Sequence, residues 1–361
     1  MNEARHPANR STDDRLATAG WSRRSLLAAG LTAGVAPFVP WQVAGAVPTP
    51  SSLIIRGMSL PSWQYHTYRS RRYAESLIRL ADMGFTGVAI TPGHALASPS
   101  DCRFVASAGN EGFDDLTFAV EQARKAGLGV LLKPRLTVFD CSLSAGAIEP
   151  ADTATFFADY RQLLLRYAAL ADRCDASMLA VGCELAHLTG PAHRESWLRL
   201  IDHTRQAFGG PLVYAATCGE ALQLSFWDAL DYIGVEMLTP VTPTEPTSAD
   251  AILARWLQVP PVAGATGAYD HSTHVATWRS LARHHRKPIL LTEAGVRRIA
   301  GSSDRPVGGD IAYAAADFTL DARFYQALIR VASEVSDGWL AGMFLSGWRI
   351  DAAPASQAGT I

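Results

Sequence analysis

Residues 178–184, Met178-Leu179-Ala180-Val181-Gly182-Cys183-Glu184, and residues 288–295, Pro288-Ile289-Leu290-Leu291-Thr292-Glu293-Ala294-Gly295, follow one pattern. Each carries a short, largely apolar run that leads into a glutamate, Glu184 or Glu293. Apolar runs of this length without polar alternation suit strands buried on both faces, as in a parallel sheet covered by helices. The chain after the first run supports that reading. Arg194 to Phe208 has helical spacing, and a second run, Pro211-Leu212-Val213-Tyr214-Ala215-Ala216, follows it. Strand, helix and strand in that order make a βαβ unit.

The unit repeats in both directions. Upstream, strands are predicted at 53–58, 87–91 and 129–134, with helices over 71–83, 115–126 and 153–172 between or after them. Downstream, strands are predicted at 232–236, 288–292 and 340–345. Helical segments lie near 226–230, 249–256, 274–285 and 314–333. Eight such repeats close into a barrel, so the fold class is α/β, a single (β/α)8 TIM barrel. The longest connections, 139–151 and 238–272, are expected to be loops over the site or small subdomains.

The chain has 361 residues, 48% hydrophobic and 18% charged, with a formal net charge of −2. That composition supports a large buried core and excludes a disordered or coiled-coil protein. It also lacks the strongly basic balance of a nucleic-acid binder. Residues 1–46 stand apart. Ser22-Arg23-Arg24-Ser25-Leu26-Leu27 leads into a weakly apolar run ending in Ala44-Gly45-Ala46, the pattern of a twin-arginine export signal. Pro37, Pro40 and Gln42 interrupt the run, which argues against a stable spanning anchor. The expected organisation is a signal peptide over 1–46 and a catalytic barrel over 47–361. The mature chain should have no membrane span, the export machinery should be the signal's partner, and the destination should be the periplasm or exterior.

Five cysteines, none in CxxC spacing and none clustered with histidine, predict neither a disulfide framework nor a metal site. Cys102 and Cys141 fall in adjacent loops at the predicted barrel mouth. They are the one bridge considered, with two free thiols as the alternative.

In such a barrel the chemistry sits at the C-terminal ends of the strands. Glu184 follows the fourth strand and Glu293 the seventh, so the two can face each other across the mouth. Paired carboxylates suit glycosidic bond cleavage, one donating a proton and the other attacking or activating water. Each glutamate could instead cap a helix or pair with a loop lysine. Trp63 after the first strand and Trp348 after the eighth are candidate stacking platforms for sugar rings, or core residues. Lys133 and Arg135 after the third strand could hold substrate hydroxyls or an acidic group, or neutralise the glutamates. His94, in a loop after the second strand, could bond a sugar. Glu236, at the end of the sixth, could position Arg135 or shift a catalytic pKa. No cofactor is called for.

Taken together these stretches resemble glycoside hydrolase family 113, the β-mannanase family among the retaining barrels. Arg56-Gly57-Met58 with Trp63 resembles its opening strand, and Leu132-Lys133-Pro134 its third. Phe157-Ala158-Asp159-Tyr160 and Tyr167-Ala168-Ala169-Leu170-Ala171 resemble its long helix. Gly182-Cys183-Glu184-Leu185, 226–234 and 287–295 match further stretches in order and spacing. The resemblance implies Glu184 as acid/base, Glu293 as nucleophile and Trp348 as platform. It also implies a covalent glycosyl-enzyme intermediate and carboxyl groups about 5–5.5 Å apart. Five positions depart from the family pattern. Arg135 replaces a histidine, Thr217-Cys218 an Asn-Trp pair, Leu238 an aromatic, and Cys183 a threonine or asparagine. The expected reaction is therefore retaining hydrolysis of a β-1,4-linked mannan- or glucan-like polysaccharide. The alternatives are an exopolysaccharide-trimming hydrolase or transglycosylase, and a barrel that only binds carbohydrate.

Overall fold

The apolar runs become eight parallel strands that close on themselves. In the computed structural model these are β1 (Ile55–Pro61), β2 (Gly87–Thr91), β5 (Gly129–Leu132), β7 (Met178–Cys183), β8 (Leu212–Thr217), β9 (Tyr232–Pro240), β10 (Ile289–Arg297) and β11 (Leu340–Leu345). Each pairs with its neighbour in chain order, and β1 pairs with both β2 and β11 to complete the barrel. The structure describes residues 54–62, 65–105, 111–138, 145–240, 248–257, 274–297, 318–346, 348 and 350. Every described residue belongs to one compact unit, Val43–Ile361. The expected signal segment over 1–46, Trp63 and Cys141 lie outside the described residues.

The helices are α1 (Arg71–Asp82), α2 (Phe113–Lys125), α3 (Thr153–Arg173), α4 (Arg194–Ala207), α5 (Cys218–Ala221), α6 (Ala249–Trp256), α7 (His274–His285) and α8 (Phe318–Arg330). Their starts follow local chemistry. Ser70 accepts from the Tyr73 amide at the head of α1, and Asp152 accepts from the amides of Ala154 and Thr155 at the head of α3. After α2 the chain turns through Gly127 at φ 77°, a left-handed conformation that glycine adopts without strain. Among the described residues no helix is long and apolar enough to cross a membrane.

A small second sheet was not legible in the sequence. β3 (Gly93–Leu96) pairs antiparallel with β4 (Phe104–Val105) and parallel with β6 (Arg135–Val138). It continues β2 and β5 beyond Pro92 and Pro134, two residues with no amide hydrogen to donate to a ladder. Behind β7 and β8 lies an aromatic wall. Trp197 of α4 stacks on Phe226 at 4.9 Å and meets Tyr214 of β8 edge-on at 5.3 Å. Burial of these large rings supplies much of the apolar area that fixes α4 against the barrel.

Candidate active site

Both strands that carry a candidate glutamate contain one extra residue just before it. On β7, Ala180 is opposite Val213 but Cys183 is opposite Ala215, so three steps on one strand match two on the other. On β10, Leu291 is opposite Val235 while Glu293 is opposite Glu236, two steps against one. Bulges of this kind re-aim the side chains that follow them. Glu184 itself has φ 55°, a left-handed conformation uncommon for a residue with a Cβ. Its amide donates to the Ala215 carbonyl at 2.9 Å, so the residue is held to β8 despite the departure from strand geometry.

Inside the barrel, Lys133 at the end of β5 reaches across to β9 and β10. Its Nζ donates to Glu236 Oε1 at 2.7 Å, to Glu293 Oε2 at 3.0 Å and to the Thr292 carbonyl at 3.4 Å. Thr292 Oγ1 also donates to Glu236 Oε1, at 3.0 Å. The Lys133 and Glu236 side chains are 0% and 3% exposed, whereas Glu293 is 16% exposed, so only Glu293 of the three reaches the open side. One ammonium serves two carboxylates in a dry setting, and they titrate as a unit. Burial raises Glu293, but the charges of Lys133 and Arg135 outweigh it and hold the carboxyl below its ordinary value. Burial pushes Glu236 up to about 7, Lys133 opposing and the charges of Glu293 and Glu184 adding to the rise. The site thus keeps an ionised carboxylate at Glu293 and a carboxyl beside it that holds its proton into the neutral range.

Glu184 is half-buried on the neighbouring wall. Its charge bears on Glu236, Glu220 and the Cys183 thiol. Burial raises that thiol well above its ordinary value, so Cys183 is a neutral, packed group. An ionised carboxylate and a second carboxyl on facing strand ends can perform nucleophilic and acid–base steps on a glycosidic bond.

The sequence profile of Glycoside Hydrolase Family 113 matches residues 62–360. The chain belongs to glycoside hydrolase family 113. It is therefore a glycoside hydrolase. Among solved structures it is similar to a family 113 β-mannanase from Alicyclobacillus acidocaldarius, with 24% identity, 84% of this chain and 90% of that one covered, and a TM-score of 0.67. A second family 113 β-1,4-mannanase is 19% identical over 84% of this chain and 92% of that one, with a TM-score of 0.66. A fungal β-1,4-galactanase shares the barrel more distantly, at 13% identity over 81% and 89% of the two chains and a TM-score of 0.51. Among curated proteins none matches the chain in sequence.

Several of the expected site residues take other places in this family 113 enzyme. All three Lys133 donors are engaged within the protein, which is the neutralising alternative for this residue rather than a free donor aimed at substrate. The partner of Glu236 in this network is Lys133 rather than Arg135. Arg135 opens β6, and its charge helps to hold Glu293 ionised. His94 is not in an exposed loop. It is buried in β3 with Nε2 2.6 Å from the Tyr167 hydroxyl of α3, and burial with nearby Arg166 pushes it down to about 4. It is a neutral packing histidine because β3 extends the strand past Pro92 and turns the ring towards α3. Trp348 is half-buried with the Arg79 guanidinium of α1 over its ring at 5.3 Å. Tyr325 of α8 donates to the Ser346 carbonyl at 2.8 Å, two residues before this ring. Cys102 is a free thiol whose sulfur accepts from the Asp152 amide at 3.4 Å.

Two depressions, one of about 480 Å³, open beside the small sheet among Tyr65, Phe113 and Arg166. Neither is lined by Glu184 or Glu293. Three residues near the site escaped the sequence reading: Thr292, Tyr214 and Glu220. The hydroxyl of Tyr214 accepts from the Leu185 amide at 2.7 Å and donates to Glu220 Oε1 at 2.6 Å. Thr217 and Glu220 form a capping box at the head of α5, and the T-x-x-E spacing was the available signal. Burial pushes Glu220 up to about 7, with hydrogen bonds from Tyr214 and Thr217 pulling the other way.

Proposed function

We propose that this family 113 enzyme is a retaining β-glycosidase that cleaves β-1,4-linked, mannan-like polysaccharide, with Glu293 as nucleophile and Glu184 as acid/base. One observation carries the assignment of roles: Lys133 is buried against Glu293 at 3.0 Å and keeps that carboxylate charged. A nucleophile must be ionised when substrate binds, and Glu293 is the partly exposed member of the network. Glu184 gives its proton to the glycosidic oxygen as that bond to the anomeric carbon breaks and the Glu293 oxygen bonds to the carbon. It then takes a proton from water, which attacks the glycosyl-enzyme and releases Glu293. The mannan-like substrate rests on the similarity to β-mannanases. Cys183, Arg135, Thr217, Cys218 and Leu238 mark where the chain's own specificity would differ. Arg135 beside Glu293 favours a second reading, an acidic or substituted exopolysaccharide.

We further propose that residues 1–46 direct export through the twin-arginine route, since Arg23-Arg24 precedes a weakly apolar run and small residues. Arg23→Lys with Arg24→Lys should then retain the precursor in the cytoplasm, and unchanged export would remove this proposal. For the activity, the mature protein is tested on mannan, glucomannan, cellulose, xylan and acidic exopolysaccharides beside Glu184→Gln and Glu293→Gln. Activity on mannan or glucomannan lost in both variants is the expected result. Cleavage only of acidic polymers selects the second reading. Full activity in Glu293→Gln refutes the mechanism, and binding without cleavage by the wild type makes the barrel a carbohydrate-binding protein.

A further inference from the structure

Glu184 would serve as a proton donor only if its carboxyl is held towards the leaving oxygen, yet its backbone sits in a conformation that residues with a Cβ seldom adopt. Something must hold it there. The peptide before it is tied by the Glu184 amide to the Ala215 carbonyl at 2.9 Å. The peptide after it is tied by the Leu185 amide to the Tyr214 hydroxyl at 2.7 Å. Both ties come from β8, so adjacent residues of one strand grip the two sides of Glu184.

The second tie depends on a third group. A tyrosine hydroxyl can accept from an amide while donating its own hydrogen elsewhere, and here that hydrogen goes to Glu220 Oε1 at 2.6 Å. The other Glu220 oxygen accepts from the Thr217 amide at 3.0 Å, which fixes the carboxylate at the head of α5. The Tyr214 ring is fully buried between Trp197 and Phe226. It also lies so close to β7 that a Cβ on Gly182 would stand 2.6 Å from its Cε2. The hydroxyl is therefore fixed in place by its ring, by Glu220 and by the absence of a side chain at Gly182.

We propose that Tyr214 and Glu220 are positioning residues for proton donation, acting through the Leu185 amide to hold Glu184 in its left-handed conformation. This rests on the reading of Glu184 as acid/base. Neither residue is assigned any contact with substrate. Their loss should impair the step that needs a proton donor and spare one that does not.

Leaving-group dependence reads that difference. A 2,4-dinitrophenolate leaves without protonation, whereas an unactivated phenolate needs the acid. The test compares kcat and KM on 2,4-dinitrophenyl and phenyl β-mannobiosides for Tyr214→Phe, Glu220→Leu and Glu220→Gln, with Glu184→Ala as the reference. Tyr214→Phe and Glu220→Leu should lower kcat/KM on the phenyl substrate about 10-fold or more through kcat, and on the dinitrophenyl substrate less than about 2-fold. Glu220→Gln, which still offers Tyr214 a carbonyl, should recover part of the loss. It also keeps the test open if Glu220→Leu fails to fold. Equal losses on both substrates, or none on the phenyl substrate, overturn the proposal. If those results occur while Glu184→Ala shows the leaving-group dependence, this inference alone falls. If Glu184→Ala lacks that dependence, the acid/base assignment falls and takes the inference with it.

Discussion

Replacing Lys133 with Met tests the central electrostatic claim, because it removes the charge and retains most of the apolar stem. The ammonium stands 2.7 Å from Glu236 Oε1 and 3.0 Å from Glu293 Oε2. At an effective dielectric constant of about 20, unit charges 3 Å apart interact by roughly 5 kcal/mol. Breaking a buried pair by removing one partner costs about 3–5 kcal/mol. The lost attraction should raise the Glu293 carboxyl, because the Lys133 charge is the largest influence holding it down against burial. The acidic limb of kcat/KM reports the free enzyme's essential base, here the coupled Glu293–Glu236 pair. That limb should move to higher pH, lowering activity near neutrality. The folded-state pKa of Glu293 lies below its ordinary value. The stability it contributes is therefore present above the ordinary carboxylate value and lost as pH falls through the folded value. The stability gap between wild type and variant should accordingly be largest near neutrality and shrink in acid. Lys133→Met combined with Glu236→Gln should regain part of that stability without returning the limb to its place. An acidic limb that stays where the wild type has it, in a variant that melts cooperatively, would refute the reasoning.

Two further changes probe the surroundings. Glu236→Gln keeps a hydrogen-bond acceptor for Lys133 and removes a carboxyl raised from 4.5 to about 7. Such a group contributes stability that is complete below its unfolded value and is lost as pH rises through its folded value, so wild type should weaken between about 4.5 and 7 by a component that Glu236→Gln lacks. Denaturant titrations of both proteins across that range check the difference, and parallel curves would contradict it. Gly182→Ala would place a Cβ 2.6 Å from Tyr214 Cε2 and 2.9 Å from the Trp197 ring. Overpacking of that order should cost about 1–3 kcal/mol and move the Tyr214 hydroxyl from Leu185, seen as a lower melting temperature with a fall in kcat. A variant as stable and active as wild type would show that the two rings yield freely.

The sequence by itself determined the barrel and the two glutamates within it. Runs such as 178–183 and 289–291 are apolar throughout because a strand between core and helices meets no water on either face, and that pattern is local. A glutamate ending such a run marks the strand's open end, which is why Glu184 and Glu293 could be named from the chain. The T-x-x-E spacing of Thr217 and Glu220 was equally legible as a capping box, though not its tie through Tyr214 to Leu185.

Only the tertiary structure decided what surrounds those glutamates. Lys133 meets Glu236 and Glu293 across 103 and 160 residues, and no periodicity along the chain encodes such a meeting. Single-residue shifts of register precede Cys183 and Glu293, and one extra residue changes which way the following side chains point. The same dependence on direction buried His94 against Tyr167, away from the exposed loop that its place after the second strand suggested. Composition along a strand shows whether a residue meets water. Closure of the barrel and the register of its strands settle which charges face one another.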